Sequence, residues 1–503
     1  MSKCFLGIDI GTGSSKGVIT DISGRIMAET AVPHEMDMSE PGFYEQDAEI
    51  VWWGDFVKLS RSLTDTLKTE HKLAAGSIKA VGVSTIAPCV LPVDKTGRPL
   101  RPGIMYGIDT RASEEIKELE DLIGRENIFR MTGQDLSSQA CLPKVRWIQK
   151  HEPEIWQKTD KVLTATGYIV FRLTGRPTLD IYNAIGYAPV FNIHEQRWDN
   201  SMNSITSDYS DQDEIIKLSK LPELLWSSEI AGSITAAAAE LTGLAEGTPV
   251  ITGTGDAASE AVGAGVCRAG DMMMMYGSSN FFIMRTEKLN PIKSFWASNF
   301  IDAGSSVLTG GMSTVGSLFK WFTETFPGRT LAEWESLAAG ASPGSGGLTV
   351  LPYFAGERTP LNAPEAKGVI FGLSLQTRPG DLFRALQEAV GFGIKHNIEC
   401  MRAEGAAAER IVAIGGATKS RALMQIISDI TGLSQFIPDV TLGACFGDAF
   451  LAASGSGYFK DSTESCKWVG IADEIIPNAG LFDFYEKRYN KYRDLYESTR
   501  HLL

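Results

Sequence analysis

Residues 5–20 of the chain read FLGIDIGTGSSKGVIT, and this stretch decides the fold. Two short apolar runs flank a glycine-rich turn, which is the pattern of a β-hairpin. Glycine allows the backbone to approach an anion, and the exposed N–H groups of such a turn bind phosphate oxygens. Hydroxyl groups in the turn add further donors. The hairpin therefore predicts a phosphate-binding element formed by Gly11, Thr12, Gly13, Ser14 and Lys16.

A carboxylate, Asp9, precedes this turn. A carboxylate beside bound phosphate is repulsive unless a cation lies between them, so Asp9 predicts a Mg²⁺ ion that is held through water. Two other nucleotide loops fit less well. The Walker motif GxxxxGK[ST] is absent, and a dinucleotide fingerprint needs a third glycine that opens a helix, where Lys16 leads into a strand instead. A hairpin that merely contains a Gly-Ser turn remains the alternative.

A second hairpin is predicted at residues 271–283, DMMMMYGSSNFFI, with the same order of apolar strand, Gly-Ser turn and apolar strand. Its turn, Gly277-Ser278-Ser279, predicts a second phosphate-binding element that faces the first across a cleft. The chain has 503 residues, which is more than one hydrophobic core usually holds. Since residues 244–247 read as a linker, we expect an internal duplication with domains at 1–247 and 248–503.

A glycine pair follows a third apolar strand at residues 411–420, IVAIGGATKS. A strand, a Gly-Gly turn and a helix leave flat backbone for an adenine ring, and the helix N-terminus favours nearby negative charge. The pattern predicts that Gly415, Gly416, Ala417 and Lys419 bind ATP. A tight connection between a strand and a helix is the alternative interpretation.

One carboxylate lies at the end of a predicted strand, in the segment 248–256, TPVITGTGD. Ligands of α/β proteins bind at the carboxyl ends of strands, beside helix N-termini. Asp256 is therefore a candidate general base for a reaction at a hydroxyl group. The competing interpretation is a helix N-cap, which is a common role for aspartate in such a loop.

Composition narrows the classes of function. Lys and Arg number 47 and Asp and Glu number 61, which gives a formal net charge of −14. An acidic chain without a basic block is a poor candidate for binding nucleic acid or anionic membranes. Seven scattered cysteines and the absence of a signal peptide or a long apolar run predict a cytoplasmic protein with free thiols.

These elements, in this order, resemble the FGGY family of carbohydrate kinases, and its xylulose kinases in particular, within the actin/Hsp70/hexokinase ATPase superfamily. The matching segments are 7–12, 41–47, 142–148, 352–360, 368–373, 381–388, 415–420 and 443–449. The resemblance implies an α/β fold of two actin-like (ribonuclease H-like) domains, each a mixed sheet flanked by helices, with a cleft between them. It also implies ATP-dependent phosphorylation of a sugar hydroxyl, with Asp256 as the base and Mg²⁺ as the metal.

The expected substrate end of the site departs from better-known relatives. Ala87 and Pro88 stand where relatives carry polar side chains, and Ala257 follows the candidate base. The resemblance further assigns Glu45, Asp109 and Arg111 to the substrate. We expect a ketose such as a pentulose, or a related polyol of five or six carbons that is deoxygenated or bears a methyl group, and glycerol as a poor substrate.

Other readings of the sequence stay open. A non-catalytic or regulatory member that binds sugar or nucleotide is one alternative, and a chaperone-type or filament-type ATPase of the same superfold is another. The sequence leaves the individual sugar and its hydroxyl undecided, and a homodimer is compatible with it.

Overall fold

The computed structural model describes residues 3–199 and 215–502. The strands are β1 (Cys4–Ile10), β2 (Ser14–Asp21), β3 (Ile26–Pro33), β4 (Asp37–Glu40), β5 (Phe43–Gln46), β6 (Ile78–Thr85), β7 (Leu91–Val93), β8 (Gly103–Ile104), β9 (Lys161–Leu163), β10 (Thr178–Asp180), β11 (Phe191–Asn192), β12 (Arg197–Trp198), β13 (Glu223–Leu225), β14 (Ile230–Ser233), β15 (Pro249–Ile251), β16 (Thr254–Gly255), β17 (Asp271–Tyr276), β18 (Asn280–Thr286), β19 (Trp296–Asn299), β20 (Ser306–Gly310), β21 (Thr349–Leu351), β22 (Val369–Phe371), β23 (Arg410–Ile414), β24 (Gln435–Pro438) and β25 (Ile471–Ile475). The helices are α1 (Gly54–Glu70), α2 (Ser113–Ile123), α3 (Arg125–Thr132), α4 (Cys141–His151), α5 (Pro153–Lys158), α6 (Ala165–Thr174), α7 (Ile181–Ala184), α8 (Ala236–Thr242), α9 (Asp256–Gly263), α10 (Gly316–Thr325), α11 (Leu331–Ala339), α12 (Pro379–Ala403), α13 (Arg421–Thr431), α14 (Ala444–Gly455) and α15 (Phe482–Thr499).

The first large sheet is built on the predicted hairpin of β1 and β2, which pair antiparallel. β3 continues the antiparallel order beyond β2, and β6 pairs parallel with β1 on the other side. β15 and β16 then pair parallel with β6, and β14 closes the edge antiparallel to β15. The sheet is therefore mixed, and β1 and β6 lie at its centre.

The second large sheet repeats this plan. β17 and β18 form its hairpin, and β20 pairs antiparallel with β18. β23 pairs parallel with β17, β24 pairs parallel with β23, and β25 closes the edge antiparallel to β24. Except for β19, which pairs with β20 at the other edge, each strand pairing has a counterpart in the first sheet. The structure therefore agrees with the predicted internal duplication and confirms the predicted mixed α/β class.

The change from the first sheet to the second occurs later than residue 247. β15 and β16 follow the predicted linker, yet both hydrogen-bond to β6 of the first sheet, and the next strand of the second sheet is β17. The predicted division into 1–247 and 248–503 therefore does not follow the sheets. We propose that the domain boundary lies between Gly255 and Asp271, where α9 connects the two sheets.

Two buried helices, α9 and α14, pack against each other and against the first sheet. These helices and the sheet can approach each other closely because glycines lie at their contacts. A Cβ atom added at Gly7 would collide with the carbonyl oxygen of Cys445, and one added at Gly82 would collide with that of Asp448. At Gly447 an added Cβ would collide with the backbone of Ser259. The backbone of α14 therefore rests directly on β1, β6 and α9.

The C-terminal helix α15 packs on the part of the chain that carries the second sheet. Its face formed by Tyr485, Tyr489 and Tyr492 is buried and packs with Tyr353 and Phe392. Within residues 3–199 and 215–502, none of the helices has both the length and the apolar character that crossing a membrane requires.

The contact between α14 and β6 gives a stability prediction. Gly82→Ala places a methyl group against the carbonyl oxygen of Asp448, so α14 must shift, and we expect a loss of about 1–3 kcal/mol in the free energy of unfolding. Gly76→Ala is the matched control, because an added Cβ there meets no atom within 4 Å. Urea unfolding of both variants measures the difference, and equal stabilities would contradict the close packing described above.

Candidate functional site

A cavity of about 170 Å³ opens beside the first turn of α9, and we refer to it as the first cavity. Asp256, Ala87 and Pro88 all line it, so the structure brings these predicted site residues together. Residues of the second sheet, on β18, β19 and β20, complete the wall. Further lining residues that the sequence did not single out are Gln134, Asp135, Gln139, Tyr182, Asn183, Phe281, Trp296, Ser298 and Thr309.

The wall of the first cavity is mostly apolar, with separated polar groups. Ala87, Pro88, Ile185 and Ala188 form one side. Lysine, arginine and histidine are absent from the described residues that line the cavity, whereas Asp256 and Asp135 are acidic. Such a lining favours a small uncharged ligand over an anion, because an anion would lose its hydration without gaining a cationic partner.

Asp256 is not the N-cap of α9. The cap position is Gly255, which makes no side-chain cap hydrogen bond, and Asp256 is the first helical residue. Its carboxylate accepts a 2.7 Å hydrogen bond from the N–H of Ala257. Burial raises the pKa of Asp256 from its ordinary value to about 6, while the bond from Ala257 acts in the opposite direction. The geometry therefore does not support the capping interpretation.

A second cavity, of about 380 Å³, lies beside the C-terminal half of α9. Gly415, Gly416 and Lys419 line it, as the sequence predicts for a nucleotide site, together with Glu260 of α9. Gly415 has φ +95°, and a Cβ there would lie 2.6 Å from the carbonyl oxygen of Tyr276, so the turn requires glycine. Ala417 is not among these lining residues and packs against the core of the second unit.

The helix α9 thus lines both cavities, at successive turns. Asp256 lies on the first cavity, and Glu260, one turn later on the same helix, lies on the second. Residues four apart on a helix share one face, about 5–6 Å apart. Burial and the neighbouring Asp256 raise the pKa of Glu260 to about 7, and Lys16 acts in the opposite direction. Groups bound in the two cavities would therefore meet at the first turn of α9.

Two further carboxyl groups lie next to this turn, the partly exposed Asp9 and the fully buried Asp448. Asp9, at the end of β1, has its pKa raised well above the ordinary range by burial and then by Asp256 and Asp448. Burial likewise raises the pKa of Asp448, on α14, to about 8. The hydroxyl of Ser84 lies 2.7 Å from Asp448 Oδ2 and 3.1 Å from Asp9 Oδ1. A cation near Asp9 would relieve this accumulation of negative charge.

A metal ion bound at Asp9 would need most of its ligands from elsewhere. In the two described segments, no group of three or more His, Cys, Asp or Glu side chains forms a candidate metal site. Asp9 fits the predicted Mg²⁺ site in its chemistry, because Mg²⁺ is commonly held by one or two carboxylates together with water and phosphate oxygens.

Hydrogen bonds within the first glycine turn and from a neighbouring side chain hold the turn in place. The N–H of Gly11 donates to Ser14 O at 3.1 Å, which closes the turn. Gln46, a residue that the sequence analysis did not place here, donates from Nε2 to Thr12 O at 3.1 Å and accepts from Trp52. Gly13 and Lys16 are exposed, and Lys16 stands opposite Asp9 in the β1–β2 register. The turn therefore leaves its outer side accessible.

The second glycine turn docks on the start of α10. Gly277 N–H donates to Ser279 O at 3.0 Å. The carbonyl oxygen of Ser278 accepts from the N–H groups of Val315 and Ser317, at 2.9 and 3.0 Å. Ser278 is exposed and the flanking Gly277 and Ser279 are partly exposed. Both predicted phosphate turns are thus present as hairpin turns with accessible outer sides.

Three predicted substrate residues do not line the first cavity. Arg111 donates to both carboxylate oxygens of Asp109 and, at 2.7 Å, to Glu45 Oε1. The guanidinium also stacks 4.3 Å from the ring centre of Phe43 and 5.0 Å from that of Trp147. The side chains of Arg111 and Asp109 are 1% and 0% exposed, so their polar groups form their hydrogen bonds within the protein. Glu45, Asp109 and Arg111 therefore satisfy one another, and we propose a structural role for them in place of the predicted contact with the substrate.

Sequence reasoning missed the residues that reach the first cavity from distant segments. Asn183 follows Asp180, which holds it through the side-chain amide at 2.8 Å, and Trp296 and Ser298 lie on β19 of the second unit. Isolated polar or aromatic residues in unrelated segments carry no local signal, because only the packing of the two units brings them together. Asp448 lay in a segment that was recognised, but its contact with Ser84 could not be foreseen.

Family models match nearly the whole chain. The N-terminal domain of the FGGY family of carbohydrate kinases matches residues 4–263, and its C-terminal domain matches residues 272–456. The chain is 29% identical to the xylulose kinase of Staphylococcus epidermidis, over 100% of this chain and 98% of that protein. It is 28% identical to the xylulose kinase of Escherichia coli, over 99% of this chain and 100% of that protein.

A solved structure has the same fold. The crystal structure of xylulose kinase from Rhodospirillum rubrum matches with a TM-score of 0.90 at 27% identity, and the match covers 99% of each chain. This likeness confirms the predicted α/β fold with two actin-like domains.

The network around Arg111 gives a second stability prediction. Arg111→Ala leaves the carboxylates of Asp109 and Glu45 without their buried partner, and we expect a loss of about 3–5 kcal/mol in the free energy of unfolding. Arg25→Ala is the control, because Arg25 is 71% exposed and its ion pair with Asp21 should contribute less than about 1 kcal/mol. Chemical denaturation measures both. A loss for Arg111→Ala no larger than the control would show that the network is not structural.

Proposed function

The chain belongs to the FGGY family of carbohydrate kinases and is itself a carbohydrate kinase, and on this premise we propose that it transfers a phosphoryl group from ATP to a hydroxyl of a neutral ketose such as a pentulose. Asp256 is the general base in this proposal. The first cavity takes the sugar and the second cavity takes the adenosine end of ATP.

The observation that carries the proposal is that α9 lines both cavities. Asp256 lines the first cavity and Glu260 of the same helix lines the second. A kinase must bring the acceptor hydroxyl and the terminal phosphate together, since positioning supplies a large share of the rate of phosphoryl transfer. The first turn of α9 is a meeting point of this kind.

Asp256 suits the role of base in its environment as well as its position. A general base is most effective when its pKa lies near the working pH, and burial brings the pKa of Asp256 to about 6. At neutral pH the group is then mostly ionised and can accept the proton of a sugar hydroxyl as the oxygen attacks phosphorus. A non-catalytic role is less well supported, because a purely binding site has no need of a buried carboxylate here.

The two glycine turns are proposed to hold the phosphates of ATP. Accessible backbone N–H groups and hydroxyls in the turns at Gly11–Gly13 and Gly277–Ser279 supply donors without a large positive field, which the acidic chain lacks. Lys16 adds one positive charge beside Asp9. Mg²⁺, when bound at Asp9, would neutralise charge on the phosphate oxygens.

Substitution of the base tests the mechanism. Asp256→Asn keeps the size of the side chain but removes the carboxylate, and we expect kcat to fall by roughly 10²–10⁴-fold, the usual contribution of a general base. The unfolding transition should change little or shift upward, because a buried charge is removed. Coupled ADP release with a ketose panel measures the rate. Unimpaired turnover would exclude Asp256 as the base.

The pH profile provides an independent readout of the same assignment. Because burial raises the pKa of Asp256 to about 6, a falling pH protonates the base, and kcat/KM should decline below about pH 6 by roughly tenfold per pH unit. The acid limb should disappear from the residual activity of Asp256→Asn. A limb that persists unchanged in that variant would belong to another group.

The lining of the first cavity predicts which substrate size is preferred. The apolar side formed by Ala87, Pro88, Ile185 and Ala188 offers contact to carbon atoms, and a three-carbon polyol would leave much of it unfilled. We expect kcat/KM for pentuloses and hexuloses to exceed that for glycerol by at least tenfold, the discrimination that one or two lost apolar contacts give. If glycerol ranks above every ketose, the assignment of the first cavity to a larger sugar is wrong.

A further inference from the structure

Asp448 is a fully buried carboxyl group that the proposed mechanism does not use. It lies on α14, with 0% of the residue exposed. Its two oxygens each contact a serine: Oδ2 lies 2.7 Å from Ser84 Oγ on β6, and Oδ1 lies 2.7 Å from Ser259 Oγ on α9. Lys, Arg and His form no ion pair with it among the described residues. Burying a carboxyl group without a cationic partner costs free energy, so its presence requires a physical explanation.

The hydroxyl of Ser84 connects two carboxyl groups. It has one hydrogen and lies within hydrogen-bond distance of both Asp448 and Asp9. If Asp448 carries a proton, Asp448 donates to Ser84, and Ser84 donates to Asp9, so that every contact has one hydrogen. Burial, which raises the pKa of Asp448 to about 8, agrees with a proton on this group.

The position of Asp448 connects the parts of the site. Ser84 leads to Asp9, which precedes the first glycine turn. Ser259 is three residues beyond Asp256 on α9, the helix that lines both cavities. The glycine contacts at Gly82 and Gly447 hold the backbone of α14 against β6 and α9 with no space for adjustment. A change at Asp448 would therefore be passed to both Asp9 and Asp256.

We infer that Asp448 is a positioning residue, which through Ser84 fixes Asp9 and through Ser259 fixes the helix that carries Asp256. The inference rests on the proposed roles of Asp9 and Asp256. Asp448 touches neither cavity, so it acts on the reaction through these two neighbours and not on the substrate.

The charged groups around residue 448 favour a neutral side chain there. The charged groups that face it are Asp9 on β1 and Asp256 on α9, with Glu260 on α9 and Lys16 on β2 acting around Asp9 and the helix. Three of these four are acidic, so a second ionised carboxylate beside Asp9 would be repelled. An asparagine amide can replace a protonated carboxyl, because it donates to Ser84 from nitrogen and accepts from Ser259 at oxygen.

Two substitutions at residue 448 separate positioning from mere packing. Asp448→Ala removes both hydrogen bonds, and we expect kcat to fall by at least tenfold, because small displacements of reacting groups cost up to about 10²-fold in rate. Asp448→Asn should retain kcat within about threefold of wild type, and KM for the ketose should change little in either variant. Coupled ADP release supplies the rates, and urea unfolding supplies the stabilities.

A matched control comes from Asp271, another buried carboxylate, which pairs with Arg410 in the second unit at 2.6 Å. Asp271→Asn should lower stability and leave kcat unchanged, which is the behaviour of a structural acid. If Asp448→Ala does not fold, Ser84→Ala and Ser259→Ala each remove one arm of the contact. Each should lower kcat, and Ser84→Ala combined with Asp448→Asn should cost no more than Ser84→Ala alone.

The outcomes distinguish this inference from the function on which it rests. Wild-type kcat in Asp448→Ala, or in Ser84→Ala and Ser259→Ala together, overturns the inference, and so does an equal loss in Asp448→Asn and Asp448→Ala. If Asp256→Asn is inactive in the same experiments, the proposed function stands although the inference about Asp448 fails. Full activity in Asp256→Asn would instead remove the proposed base, and the inference would fall with it.

Discussion

The close contact of the helix Ala444–Gly455 with the centre of the first sheet is the constraint on which the rest of the site depends. Gly7 and Gly82 leave the strands bare of side chains, so the helix backbone lies on the strand backbone, and Gly447 allows the same approach to the helix Asp256–Gly263. Strand, helix and helix are thereby held at backbone distance. Larger residues would push the helices outward and separate the carboxyl groups that meet at this junction.

Electrostatics at the junction follow from that packing. Four acidic side chains, Asp9, Asp256, Glu260 and Asp448, are drawn into one buried region, and each has a raised pKa for which burial is the largest cause. Proteins tolerate such a cost where the charge is needed or can be shared. Here one group lines the first cavity, one lines the second, one precedes the first glycine turn, and the fourth contacts Asp9 through Ser84. An apolar core of the same volume would be more stable and would lack the proposed base.

The buried ion network around Arg111 shows why recognising a motif does not by itself fix the role of its residues. Asp109 and Arg111 were expected at the substrate because they stand in a segment that resembles the family. In the structure they satisfy each other and Glu45 between the rings of Phe43 and Trp147. A charged pair fits a ligand site or a buried structural network equally well on sequence grounds, since only the neighbours decide whether its hydrogen bonds are already used.

The sequence by itself determined the two hairpins, their duplication, the strand that ends at Asp256 and the glycine pair at Gly415, because each depends on a local pattern of apolar residues and turn glycines. It also placed Ala87, Pro88 and Asp256 in one site by resemblance. The tertiary structure alone decided that residues 249–255 join the first sheet, that Arg111 faces inward, and that Asn183, Trp296 and Asp448 belong to the site or its support. The physical reason is sequence distance: strand pairing, burial and hydrogen bonds between segments far apart in the chain depend on how the two units pack, and no local pattern encodes that packing.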